Sequence, residues 1–185
     1  MSTILSKDEN ELLKKSIFEI RNLKKEITDL KTKQIEPIAI VGMSCELPGN
    51  VSSPDDFWKF ISEKGDGIRR PIEKRWNLTN VKKFDPLYFG IPPKEANYMD
   101  PQHRLFLENS WKALIDAGID PKSVSGSNTG VFCGITNNEY LQLMLNELSE
   151  EEFNPYITSG NCLNFSAGRV SYILGLNGPS LAIDT

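Results

Sequence analysis

Between residues 7 and 34 the chain has no Gly or Pro, and its apolar positions recur at alternating steps of three and four. Leu13, Ile20 and Ile27 take one seam position of a heptad, and Ser16, Leu23 and Leu30 take the other, which predicts a helix with a coiled-coil-type seam. An amphipathic helix packed on its own domain is the alternative, although the period is nearer 3.5 than 3.6 and the segment precedes the domain it would pack on. Glu36-Pro37 ends this helix, because a residue before proline is pushed out of helical geometry. The pattern then changes. The β-branched run Ile38-Ala39-Ile40-Val41-Gly42 predicts a buried strand. Ser53-Pro54-Asp55-Asp56 is a helix start with a capping Ser and two acids in the first turn; Phe57, Phe60 and Ile61 form its apolar face and Gly65 is the expected stop. Asp100-Pro101 opens a longer helix, with Leu107, Trp111, Leu114 and Ile115 on one side and Gly118 at its end. A strand over 130–135, a helix over 139–148, a helix over 164–174 closed by Gly175, and a strand over 180–184 follow. Strands alternating with helices predict a layered α/β fold.

Composition narrows the picture. The apolar share of 39% and charged share of 25% suit a soluble globular chain. No apolar stretch reaches the roughly 18–20 residues that span a bilayer, so no membrane partner and a cytoplasmic location are expected. The net charge of −4 is unevenly spread: residues 1–34 hold eight basic and six acidic side chains, the remainder thirteen and nineteen. That bias is too weak for nucleic-acid binding. Cys45, Cys133 and Cys162 stand far apart without CxxC spacing, which indicates neither a zinc site nor a disulfide framework. Gly42 and Gly49 fit neither the dinucleotide nor the phosphate-loop pattern and read as turn residues. The single histidine, His103, falls in the first turn of the Asp100 helix, where a capping or surface role is expected. Arg169 is expected to pair with a carboxylate in the core.

Six blocks carry a more specific signal: EPIAIVGMSCELPG, SPDDFWKFI, RWN, FDPLYFGIPPKEANYMDPQHRLFLENSWKALIDAGIDP, TGVFCG and SAGRVSYILGLNGPSLAIDT. In this order they resemble the signature blocks of the β-ketoacyl synthase (ketosynthase) domain of modular polyketide synthases. The resemblance covers residues 36–185, and residues 1–35 resemble the N-terminal docking helix that recruits an upstream synthase subunit, with Leu13, Ile20, Leu23, Ile27 and Leu30 as its seam. It implies the N-terminal half of a thiolase-like layered fold and a decarboxylative Claisen condensation. In that reaction an acyl thioester on a Cys is extended by a malonyl-type unit, carried on the phosphopantetheine arm of an acyl carrier protein. It further implies a homodimer in the complete enzyme and no bound cofactor or metal. In the family an Asp-Thr at the place of Asp184-Thr185 is followed by Ala and the nucleophilic Cys. Asp184 and Thr185 are therefore expected to shape the approach to the active site, with no catalytic residue in the chain itself. The nucleophile, two histidines and the second half of the fold are expected beyond Thr185. The chain alone is expected to be inactive, and a noncatalytic docking or interaction remnant is the alternative. Between Trp76 and Phe84, where the family has a longer Gly-Gly-Phe-Leu-containing stretch, this chain has only seven residues.

Overall fold

A computed structural model describes residues 7–34, 37–67 and 83–184. The shortened stretch after Trp76 lies outside these residues, apart from Lys83. The chain divides into two units, Met1–Ile40 and Val41–Thr185.

The first unit is dominated by helix α1, Lys7–Gln34. Ser16 and Thr28, which would otherwise compete with helical geometry, turn their hydroxyls back on the carbonyls of Leu12 and Lys24 at 3.0 and 2.8 Å. All five apolar seam residues are exposed.

The predicted strand at 38–42 does not form; those residues take no regular secondary structure. Ile38, Ile40 and Val41 are exposed. Just downstream, polar groups bond to a helix. The Met43 amide donates to Asp116 Oδ2 at 2.8 Å, and the Ser44 hydroxyl donates to Asn109 Oδ1 at 2.7 Å. Both acceptors lie on helix α4, Pro101–Asp116.

Helix α2, Pro54–Ser62, starts where expected, with Ser53 Oγ accepting the Asp56 amide at 3.1 Å. Its expected stop is displaced by one residue. Lys64 takes the left-handed conformation at φ 55°, and Gly65 only follows it, donating to the Phe60 carbonyl at 2.8 Å. No residue of α2 is buried, so its apolar face does not reach the core.

The core is built around α4, helix α7 (Asn164–Leu174) and strands β1 (Val131–Gly134) and β2 (Ser180–Ile183). Leu107 of α4, Val131 and Cys133 of β1, and Ala167, Val170 and Leu174 of α7 are buried together with Ile91 and Met99. Trp111 and Leu114 pack at the margin of this cluster, whereas Ile115, the fourth expected apolar position of α4, is exposed. The face directed inward is narrower than the apolar pattern. Aromatic rings close one side: Phe84 stacks on Phe89, and Tyr88 and Phe89 meet Trp111 edge-on.

Strands β1 and β2 are parallel, with Val131 opposite Ser180 and Gly134 opposite Ile183. Parallel neighbours need a long crossover. Here it comprises helix α5 (Glu139–Glu147), a 3-10 turn, helix α6 (Pro155–Asn161) and α7. Neither α6 nor the short helix α3, Pro93–Asn97, was expected from the sequence pattern. Both are too short to show helical periodicity, and each opens on a proline, which also reads as a turn.

Candidate functional site

A parallel pair brings the carboxyl ends of its strands to the same edge, the edge at which open α/β sheets present ligands. Ile135 and Asp184 follow β1 and β2 there, and the Ile135 amide extends the ladder to the Ile183 carbonyl at 3.1 Å. Asp184 is exposed and follows the last residue of β2 directly. Its expected partner in shaping this approach, Thr185, lies outside the described residues.

The turn between α7 and β2 sets this register. Gly175 ends α7 at φ 66°, and the Leu176 amide closes back on the Ser171 carbonyl at 2.8 Å. The turn is then tied to the loop before β1: the Gly126 amide donates to the Gly175 carbonyl at 2.7 Å, Asn177 to the Ser127 carbonyl at 2.8 Å, and Val131 to the Pro179 carbonyl at 2.8 Å. At Gly178 the two backbones come so close that a Cβ would collide with the Thr129 carbonyl. The block GLNGPS thus acts by geometry. Its glycines permit a left-handed turn and a close approach, which deliver Asp184 to the strand edge.

A polar scaffold joins α3, α6, α7 and the start of α4. Arg169 pairs with Glu95 of α3, as expected for a carboxylate partner in the core, and its second nitrogen donates to the Ser159 carbonyl at 3.1 Å. Asn161 donates to the Tyr98 and Ile157 carbonyls at 2.8 and 2.7 Å, and the Asp100 amide donates to the Gly160 carbonyl at 2.9 Å. The Asp100 carboxylate caps α4 through the Gln102 amide at 2.8 Å. Burial raises its pKa, partly offset by hydrogen bonds from Gln102. The capping role of Asp100 was legible in the sequence. Glu95 and Asn161 were not, because one charged or amide residue in a short helix carries no period.

His103 corrects the sequence reading: it is fully buried, not a cap or a surface residue. Its position four residues before Leu107 places both on the inward stripe of α4. Burial, helped by Arg169, lowers its pKa to about 4. Burial, then Asp56 and Glu46, push the Cys45 thiol up and oppose thiolate formation, and Lys112 offsets this only in part. Cys133 is buried inside β1 opposite Ala182, and Cys162 follows α6, partly buried. None of the hydrogen bonds among the described residues joins a cysteine to His103. No group of three potential metal ligands occurs among them either, and no described helix is long and apolar enough to cross a membrane.

The family model for the β-ketoacyl synthase N-terminal domain matches residues 35–185. The chain belongs to the β-ketoacyl synthase family. It is 40% identical over 184 residues to the erythronolide synthase EryA3 of Saccharopolyspora erythraea, which covers 94% of this chain and 6% of that protein. It is 38% identical over 198 residues to the polyketide synthase GfsB of Streptomyces halstedii, covering 95% and 4%. Among solved structures it resembles the ketosynthase from module 6 of the bacillaene synthase of Bacillus subtilis 168, with 38% identity and a TM-score of 0.66 over 80% of this chain and 26% of that one. The oxazolomycin ketosynthase domain OzmH KS7 of Streptomyces albus gives 29% identity and a TM-score of 0.69 over 81% and 30%. The thiolase-like α/β class expected from the sequence is therefore the fold of this β-ketoacyl synthase chain. The chain spans only a small part of the length of the curated relatives it matches, and about a quarter to a third of these two ketosynthase structures.

Proposed function

We propose that residues 36–185 form the N-terminal half of a polyketide synthase ketosynthase, serving decarboxylative condensation of an acyl thioester with a malonyl-type extender. The observation that carries this is the stapled α7–β2 turn, which leads a family-matched strand to the carboxyl edge of a parallel pair and leaves Asp184 at the end of it. In this reading the acyl group rests on a cysteine thioester. The extender, on the phosphopantetheine arm of an acyl carrier protein, loses carbon dioxide; its carbon attacks the thioester carbonyl and expels the thiol. The described residues contribute position rather than chemistry: Asp184 shapes the approach, together with Thr185 of the family motif, while Arg169, Glu95 and Asn161 tie α3, α6 and α7 together. Covalent catalysis needs an activated nucleophile, and neither Cys45, with its raised pKa, nor buried Cys133 supplies one. The soluble, cytoplasmic setting and the homodimer of the complete enzyme belong to the same proposal.

Two experiments test it. A chimera carrying residues 36–185 in place of the matching segment of the bacillaene module 6 ketosynthase is expected to take up an acyl group and condense it with a malonyl extender. A folded chimera inert in both steps overturns the assignment. The 185-residue chain alone, incubated with an acyl thioester, is expected to show no mass increase. Stoichiometric labelling at Cys45, Cys133 or Cys162, lost on substitution by Ser, would place a nucleophile within the chain.

The exposed seam of α1 favours a second role beside the first: residues 1–35 dock an upstream synthase subunit through Leu13, Ile20, Leu23, Ile27 and Leu30. In the noncatalytic alternative that role is the whole function.

A further inference from the structure

His103 of α4, the helix packed on α7, is 0% exposed. Neither of its ring nitrogens has a hydrogen-bond partner. The charged group that bears on it from α7 is Arg169, whose guanidinium is held by Glu95 of α3 and the Ser159 carbonyl, with its Nε unpartnered. Glu95 is thereby committed to Arg169. On the imidazole's own helix, Arg104 donates to the Met99 carbonyl at 2.9 Å and the Asp100 carboxylate caps the Gln102 amide. Asn161 of α6 is uncharged, and its amide nitrogen is taken by the Tyr98 and Ile157 carbonyls. A neutral imidazole already leaves one donor and one acceptor unmet here, and charging it adds a larger cost. An imidazolium would be a second buried cation beside Arg169, with no acceptor hydrogen-bonded to it.

We propose that the α4–α7 seam is an acid-released latch, in which proton uptake by His103 loosens α7 from α4 and with it the turn that aligns β2. The unfolded chain binds this proton near the ordinary value of 6.5, and the folded chain only near about 4. A group depressed on folding contributes stability that is complete above the unfolded value and is lost as pH falls through the window down to the folded one. Within it the folding constant drops by up to about tenfold per pH unit. Asp100 and Glu108 act with the opposite sign, since burial raises both and their protonation favours the folded state. Asp56 and Glu152, held down by hydrogen bonds from Ser53, Ser52 and Ser149, act in the same direction as His103, so the histidine is identified by the part of the pH dependence that its replacement removes.

His103 is the one histidine of the chain, so its imidazole signals in the NMR spectrum of the labelled 185-residue protein are assignable without variants. They are expected to stay neutral in the folded protein at pH 5.5 and to titrate near 6.5 in urea. Denaturant midpoints are expected to fall further between pH 7 and pH 4.5 in the parent than in His103→Leu, the difference being the contribution of the histidine. Corrected amide protection in α7 and β2 should fall with the parent midpoints. A folded-state titration near 6.5 overturns the latch, and so does an equal pH dependence in His103→Leu. Should that variant fail to fold, His103→Met and the NMR titration of the parent decide.

Discussion

Helices α1 and α4 are both amphipathic in sequence, yet they meet opposite fates. In α4, Leu107 is 0% exposed, whereas Leu23 on the α1 seam is 53% exposed. The difference lies not in the helices but in what faces them. α4 is met by α7, which itself lies on both strands, and its cap and end are fixed by Asp100 and Gly118. α1 carries a longer apolar stripe, and its seam residues are exposed. Amphipathicity states which side of a helix is able to bury, and only a complementary face turns that into stability.

The largest expected effect breaks this contrast at its centre. Leu107→Ala should destabilise the chain by about 2–5 kcal/mol through lost burial and a cavity, while Leu23→Ala should change unfolding by no more than about 0.5 kcal/mol. Chemical denaturation of the two variants side by side measures this, and a similar loss in both would mean that α1 does pack on the core. The seam should instead show itself in association: helicity of a 1–35 peptide should rise with concentration, and Ile20→Asp should remove that rise.

A smaller effect sharpens the comparison at the helix starts. Asp100→Ala should cost roughly 1–2 kcal/mol and Ser53→Ala roughly half as much, because both caps satisfy an amide but only α4 is embedded in the core. Equal losses in thermal unfolding would remove burial from that explanation. The smallest effect has the opposite sign. Lys64 ends α2 in the left-handed region, so Lys64→Gly should stabilise by about 0.5 kcal/mol, the relieved strain exceeding the extra freedom glycine gains when unfolded. A lower unfolding midpoint would show that the Lys64 side chain contributes more than its backbone costs.

Much of the architecture was legible because its signals are short in range. The Ser53 and Asp100 caps act over two or three residues, Gly175 and Gly118 end their helices through their own φ, and the run Gly178–Asp184 combines a turn with an apolar strand. The Arg169 partner was readable as a kind of residue, but not as Glu95, since a charge pair 74 residues apart leaves no local trace. The strand expected at 38–42 failed for a related reason. A β-branched run favours extended backbone, whereas a strand also needs a neighbour to complete its ladder, and none pairs with this run among the described residues.

By itself, then, the sequence determined the family, the longer helices, the paired strands and most of their ends, because caps, glycines and prolines act on the backbone beside them. Tertiary structure alone decided that His103 is enclosed without a partner, that α2 and α1 keep their apolar faces exposed, and that Asp184 arrives at the edge of a parallel pair. Burial and register depend on which distant faces meet, and that is a property of the packed chain rather than of any stretch of it.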